Sequence, residues 1–303
     1  MIFNPALGLW RRIRRRIAGT GLSLDTVADA EAQLTALEAD LPAYLWAYRE
    51  VLGPWLAEAA AAGDLADQLV RWLHRHNQFL YATAQTRAEL AQVYVQAMAD
   101  TAELLAEART LPEVEAGMPH LFAEHHKRLA LALRVAFGTR LRDTVQSEYS
   151  PGLQLAMLGL DRVETPVLDV GCGATGALVA HLRAAGIEAM GLDRDAQAPG
   201  TVMGDWLIQD FGRSVWGTVT SHLGFSLHFL HHHLSGHDLA YDYARAYRRI
   251  LASLKVGGRF AYAPALPFVE DVLGAGYGVE RRSLASYGGG LPIESSTVVT
   301  RLV

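Results

Sequence analysis

The chain has 303 residues, of which 50% are hydrophobic and 19% are charged, so it is globular and long enough for two domains. Residues 1–150 contain 15 Lys and Arg against 18 Asp and Glu, and residues 151–303 contain 12 against 14. Neither half has the positive charge that phosphate contacts require, which argues against a dedicated nucleic-acid-binding protein. The single cysteine, Cys172, excludes a disulfide within the chain and indicates a reducing compartment, so we expect a cytoplasmic protein.

The hydropathy of the chain argues against stable insertion into a membrane. No apolar stretch approaches the roughly 18 uncharged residues that span a bilayer. Residues 1–19 are apolar first and then basic, the reverse of a secretory signal, in which the charges come first. We interpret this segment as a solvated or partner-facing helix, with a membrane-surface anchor as the alternative.

Residues 24–142 have an almost uninterrupted helical pattern. Apolar residues recur at spacings of three and four, as in Leu65, Leu69 and Trp72. Glycine and proline predict breaks between helices at 19–21, 53–54, 62–64, 111–112 and 117–119. The pattern therefore predicts an all-α domain of five or six helices over residues 1–148.

Strands and helices alternate after Tyr149, which predicts a second domain over residues 149–303. Strands are predicted at 167–170, 188–192, 201–203, 216–221, 259–263, 279–284 and 296–303. Helices are predicted at 177–185, 237–254 and 267–274, and if 227–234 is helical, His228 shares a face with His231 and with His232. The predicted fold class is α/β, with a Rossmann-like, mostly parallel sheet of seven strands and helices on both faces.

The most informative segment is 167–176, which reads Val-Leu-Asp-Val-Gly-Cys-Gly-Ala-Thr-Gly. A short apolar run that ends in glycines predicts a buried strand turning sharply into a helix, where a ligand can approach the backbone closely. Asp193, at the end of the next predicted strand, is placed to accept hydrogen bonds from ribose hydroxyls. Asp169 would repel a diphosphate but would favour a ligand that carries an ammonium or sulfonium group.

The Asp-x-Gly-x-Gly segment resembles motif I of the class I S-adenosylmethionine-dependent methyltransferases. The resemblance covers about residues 150–303 and includes Gly204-Asp205-Trp206 and the turn 254–260, in which Val256 replaces the usual proline. It departs at Gly217, where the family usually has an Asp. It implies S-adenosyl-L-methionine as the cofactor, with the methionine portion at Asp169 and the glycines, the ribose at Asp193 and the adenine at Asp205 and Trp206. The implied cofactor-binding residues are Tyr149, Asp169, Gly171, Cys172, Gly173, Asp193, Asp205 and Trp206.

Histidines crowd the segment after the fourth predicted strand: His222, His228, His231, His232, His233 and His237. Three interpretations stay open, namely a general base or substrate contact, a metal site that uses His228 and His232, and packing. His222 is the first candidate for a base and His228 the second. Histidines of the helical half are predicted to be exposed, with a substrate pocket or a shared metal site as alternatives: His74, His76, His120, His125 and His126.

These features predict an enzyme that transfers a methyl group from S-adenosylmethionine to an oxygen, nitrogen, sulfur or carbon atom of a small molecule. The helical domain would cover the active site, with no nucleic-acid partner, and a homodimer is left open. A bound metal is not expected, although a metal-dependent methyltransferase assisted by histidine is one alternative. The others are a nicotianamine-synthase-like aminocarboxypropyl transferase, a non-enzymatic helical module and a dehydrogenase.

Overall fold

The computed structural model describes residues 39–137, 149–284 and 293–303, together with Ala6, Gly8, Leu9 and Arg12. The chain divides into two compact units, Met1–Gln146 and Ser147–Val303. The predicted break at 19–21 and the predicted end of the helical pattern at 142 lie outside the described residues. Among the described residues, no helix combines the length and the apolar character that crossing a bilayer requires.

The described part of the first unit is helical. Its helices are Leu41–Ala47 (α1), Arg49–Glu58 (α2), Ala62–His76 (α3), Ala84–Glu107 (α4) and Leu111–Phe137 (α5). The apolar positions that predicted helices lie in the core, since Leu65, Leu69 and Trp72 are all buried. The Thr83 hydroxyl accepts a hydrogen bond from the Thr86 amide and so caps the start of α4.

Two of the predicted helix breaks are wrong. Pro54 lies inside α2, and Pro119 lies inside α5 together with Gly117. A Cβ at Gly117 would lie 2.7 Å from a methyl carbon of Leu104, so this glycine permits close packing of α5 on α4. The predicted break at 62–64 is the first turn of α3, whereas the break at 111–112 coincides with the start of α5. Packing overrides the local signal where the helix buries an apolar face.

Three histidines of the helical unit are not exposed as predicted, among them His126, which is half-buried. His74 is buried in α3. His125 is half-buried in α5, with its ring centroid 5.5 Å from that of Tyr94. Burial lowers the pKa of His125 to about 4, so this ring is neutral at pH 7. His74 and His125 therefore belong to the packing of the helical unit.

The second unit is an α/β domain. Its strands are Val167–Val170 (β1), Ala189–Asp193 (β2), Thr201–Met203 (β3), Trp216–His222 (β4), Leu254–Ala263 (β5), Tyr277–Ser283 (β6) and Ser295–Arg301 (β7). They form one sheet in the order β3-β2-β1-β4-β5-β7-β6, in which β7 is antiparallel to both neighbours. Its helices are Pro151–Met157 (α6), Ala177–Ala184 (α7), Phe225–Leu234 (α8), Leu239–Ser253 (α9) and Pro267–Glu270 (α10). The predicted α/β class and seven-stranded sheet are confirmed.

The two departures from the pattern of the resembled family lie at the register shift between β4 and β5. The Lys-Val-Gly-Gly segment, predicted as a turn, lies inside β5, where the register against β4 shifts and Gly257 has a φ of +81°. The segment forms a bulge, and regular pairing with β4 resumes at Arg259. A Cβ at Gly217 would lie 2.6 Å from the carbonyl oxygen of Glu164, so an Asp has no room there.

Candidate active site

The glycine turn brings the loop after β1 against the loop after β4. Gly171 and Gly173 have φ values of +85° and +70°, which an L side chain rarely adopts. A Cβ at Gly171 would lie 3.0 Å from the Cα of Gly224 and 3.4 Å from the indole of Trp206. A side chain at position 171 would therefore push apart two loops that follow the carboxyl ends of the strands, the edge at which open α/β sheets bind ligands.

Asp169 is buried at this edge with one side-chain donor. Its Oδ1 accepts a hydrogen bond of 2.9 Å from the Thr220 hydroxyl on β4. Burial raises the pKa of the Asp169 carboxyl to about 7, with a smaller contribution from the negative charge of Asp193, while the Thr220 hydrogen bond opposes the rise. The carboxylate is thus poised between its two protonation states near neutral pH, and a nearby cation would favour the ionised form.

Asp193 ties together the loops that surround the predicted ribose position. Its Oδ2 accepts from the amide of Gly173 at 3.1 Å, and its Oδ1 accepts from the amide of Asp195 at 2.9 Å. The amide of Gly204 donates to the carbonyl of Asp193 at 3.0 Å. Each carboxylate oxygen has a second lone pair, so these contacts leave acceptors for hydroxyl groups.

The predicted adenine contacts, Asp205 and Trp206, differ in exposure. Asp205 is half-buried, and its Oδ1 accepts from the amide of Leu207 at 2.8 Å. Trp206 is buried, its Nε1 donates to the Tyr243 hydroxyl at 3.3 Å, and its ring centroid lies 5.3 Å from that of His228. Trp206 therefore belongs to an aromatic core that supports the loop, with one edge beside Gly171.

Arg194 is a further candidate for the site, which the sequence reasoning missed. It directly follows Asp193, and burial lowers the pKa of its guanidinium, while the negative charges of Asp195, Asp193 and Asp205 act in the opposite direction. A cation among three carboxylates offsets the negative charge of this edge. The signal was present in the sequence, as the arginine next to the acidic residue that ends the second strand.

His222 ends β4 and lies in an apolar environment. Its Nε2 is 3.3 Å from Sδ of Met157, and its ring meets that of Tyr149 edge-on with centroids 4.9 Å apart. Burial lowers the pKa of His222 to about 4. Tyr149, predicted to close over the cofactor, contacts this histidine, and Met157 was not predicted at all. The half-buried imidazole is neutral at pH 7 and has a nitrogen able to accept a proton.

The other histidines of this segment pack against rings. His228 lies between Trp206 and Tyr243, His232 stacks on Tyr243 at 5.4 Å between centroids, and His233 stacks on Phe268 at 3.7 Å. Within the described part of the chain, no group of three or more His, Cys, Asp or Glu side chains is arranged to hold a metal ion. These contacts favour the packing interpretation for the histidines of α8. The contacts of His222 are with other residues, Met157 and Tyr149.

Cys172 has a packing role in the glycine turn. Burial raises the pKa of its thiol, which donates weakly to the carbonyl of Gly173. A Cβ at Gly191 would lie 2.6 Å from the sulfur, so the thiol fills the space beside β2. Its side chain supports the turn, and the thiol is poorly ionised at pH 7.

No protein-family model and no curated protein matches the sequence. Among solved structures, TrmN from Thermus thermophilus is similar at 16% identity and a TM-score of 0.36, over 59% of this chain and 68% of its own. SMU.1697c from Streptococcus mutans, solved in complex with SAH, is similar at 13% identity and a TM-score of 0.33, over 52% of this chain and 100% of its own. The CcbJ methyltransferase from Streptomyces caelestis is similar at 16% identity and a TM-score of 0.27, over 52% of this chain and 74% of its own.

Similarity at this level does not identify an activity. The strand order of the second unit, with β7 inserted antiparallel between β5 and β6, agrees with the fold that motif I implied. The unit formed by Ser147–Val303 therefore has the Rossmann-like α/β fold that the sequence predicted.

Proposed function

We propose that the protein binds S-adenosyl-L-methionine at the carboxyl ends of β1 and β2 and transfers its methyl group to a small-molecule acceptor. The observation that carries this proposal is the buried Asp169 beside a glycine turn that admits close approach of a ligand. A carboxylate in this position disfavours the diphosphate of a dinucleotide and favours a ligand with ammonium and sulfonium charges.

The remaining cofactor contacts follow from the loops that Asp193 organises. Gly171 and Gly173 would lie along the methionine portion, Asp193 would accept from the ribose hydroxyls, and Asp205 would accept from the adenine amino group. Trp206 would form the floor of the adenine site and would not stack on the adenine ring, since its indole is buried and hydrogen-bonded to Tyr243. Tyr149 would line the methyl end of the cofactor through its contact with His222.

In the proposed reaction, a nucleophilic atom of the acceptor forms a bond to the methyl carbon while the carbon–sulfur bond breaks. S-adenosylhomocysteine leaves, and the proton of a hydroxyl, thiol or amine passes to neutral His222. With a pKa of about 4, this imidazole is a weak base, so the proton moves as the methyl group arrives rather than before. Because the sulfonium methyl group is already activated, most of the rate enhancement comes from aligning the acceptor atom with the carbon–sulfur bond.

A small acceptor fits the charge of the chain. The net charge is −5, and neither half is basic, so the protein lacks the electrostatic attraction that polyanionic substrates require. We extend the proposal to a location in the cytoplasm.

Calorimetric titration with S-adenosylmethionine, S-adenosylhomocysteine and NADH tests the cofactor assignment. We expect both adenosyl ligands to bind, with no heat from NADH. Binding of NADH alone would contradict the proposal. Analysis of the turnover product then separates the chemistries, because methyl transfer releases S-adenosylhomocysteine whereas aminocarboxypropyl transfer releases methylthioadenosine.

A further inference from the structure

Met157 provides the hydrogen-bond partner of His222 at the start of the second unit. It is the last residue of α6 and is 2% exposed, in an apolar cluster with Leu158, Ala263 and Val298. The Ser150 hydroxyl accepts from the Leu153 amide and caps this helix. The position of the sulfur is therefore fixed by a capped helix and by packing against the sheet.

The contact discriminates between the two neutral forms of the imidazole. A thioether sulfur has no hydrogen to donate and accepts weakly, so it pairs with an N–H and not with a lone pair. At 3.3 Å from Sδ, Nε2 is thus the nitrogen that carries the hydrogen. Among the described residues, no other hydrogen-bond partner of the ring is found, which leaves the lone pair on Nδ1. The edge of Tyr149 restricts rotation of the ring.

The backbone after His222 reinforces this placement. Leu223 has a φ of +54°, a left-handed conformation that a branched side chain rarely adopts. Its amide donates to the carbonyl of Ala263 at 3.0 Å, and the next residue, Gly224, packs on Gly171. Strained backbone that the surroundings hold in place is typical of functional sites.

We propose that Met157 is a positioning residue that holds His222 in the tautomer with its hydrogen on Nε2, so that Nδ1 is the nitrogen that receives the proton of the acceptor. The second half of this statement rests on the proposed methyl transfer. The tautomer itself does not, because it is a property of the protein without cofactor or acceptor.

Long-range proton–nitrogen correlation spectra of the full chain, labelled with ¹⁵N-histidine at pH 7, report the tautomer of each ring. The signals of His222 are identified by their loss in His222→Gln. We expect the wild-type ring to carry its hydrogen on Nε2. Met157→Leu keeps the side-chain volume but removes the sulfur that accepts the hydrogen bond. In this variant the ratio of the two tautomers should move about two- to ten-fold toward Nδ1–H, which is the range for one weak hydrogen bond. Met118→Leu, a buried change in α5, is the matched control and should leave the ratio unchanged.

A wild-type His222 with its hydrogen on Nδ1 overturns the proposal, as does a ratio that Met157→Leu leaves unchanged. If that variant does not fold, the wild-type spectrum still decides the tautomer, and Met157→Gln, whose side-chain carbonyl replaces the sulfur as acceptor, should retain Nε2–H. Turnover should fall in Met157→Leu with an unchanged KM for S-adenosylmethionine. Failure of the wild type to bind that ligand would refute the proposed function and leave the tautomer result standing.

Discussion

The carboxyl ends of β1 and β2 and the helix α8 after β4 both contain conspicuous polar residues, but the two regions use them differently. At the strand ends, Asp169 and Asp193 accept hydrogen bonds at the edge where the parallel strands finish. In α8, His228 meets Trp206 in a T-shaped contact, whereas His232 and His233 stack on Tyr243 and Phe268. In this chain the two acids therefore lie at the candidate site, whereas these histidines contribute to packing.

The difference has a physical cause. A buried carboxylate needs hydrogen-bond donors or a cation, so it is found where backbone amides or a ligand supply them. A neutral imidazole has two flat apolar faces and tolerates a core of rings. His222 differs from the buried His228 and His232, because its hydrogen-bond partner is the sulfur of Met157 and its ring is half-buried.

The largest expected effect separates His222 from the packed histidines. His222→Gln should slow methyl transfer by about a hundredfold or more, because it removes the proton acceptor, while affinity for S-adenosylmethionine changes by less than about threefold. Steady-state kinetics and calorimetry on the same preparations measure both. His228→Phe is the control, since it preserves a ring against Trp206 and should keep turnover near the wild-type rate. Equal losses in both variants would assign His222 to packing.

At the carboxyl end of β2, Asp193→Ala should weaken binding of S-adenosylmethionine by about a hundredfold. The substitution removes an acceptor for the ribose and also releases the amides of Gly173 and Asp195, and each charged hydrogen bond contributes about 1.5–3 kcal/mol. Asp210→Ala is a matched control, because Asp210 also accepts from a backbone amide two residues on but is exposed. An unchanged affinity in Asp193→Ala would exclude the cofactor assignment.

A smaller effect concerns Asp169 and pH. A cationic ligand binds the carboxylate form, and the pKa of about 7 in the free protein means that a growing fraction is protonated as pH falls. Affinity for S-adenosylmethionine should therefore drop about tenfold between pH 8 and pH 6. Asp169→Asn should bind more weakly at pH 8 and lose this slope. Calorimetric titrations across that range measure it, and an equal slope in the variant would show that another group titrates.

How far the sequence predicts the molecule also differs between the regions. Strands β1 and β3 were predicted with their observed bounds, because short apolar runs between glycines have few alternatives. The positions of Asp169 and Asp193, near the ends of β1 and β2, follow from their spacing within one strand–helix–strand unit. The contact of Met157 with His222 joins residues 65 positions apart, and no local pattern indicates it. The helix breaks predicted at Pro54 and Pro119 were wrong for a similar reason, because packing against other helices and not the local sequence determines whether the helix continues there.

The smallest effect tests whether α8 is packing alone. Burial lowers the pKa of His232 to about 4, with contributions from His231 and His237, and its buried Nε2 has no hydrogen-bond partner among the described residues. The unfolded chain takes up a proton below a pKa of about 6.5, so the stability that this neutral ring contributes is present above that pH and is lost as pH falls toward 4. His232→Phe should remove this loss and reduce the drop in Tm between pH 7 and pH 5 by about 3 °C. Differential scanning calorimetry measures the drop, with His120→Phe, an exposed histidine of α5, as the control. An unchanged drop in His232→Phe would mean that the ring binds a proton in the folded state, and α8 would then need a polar role that its packing does not provide.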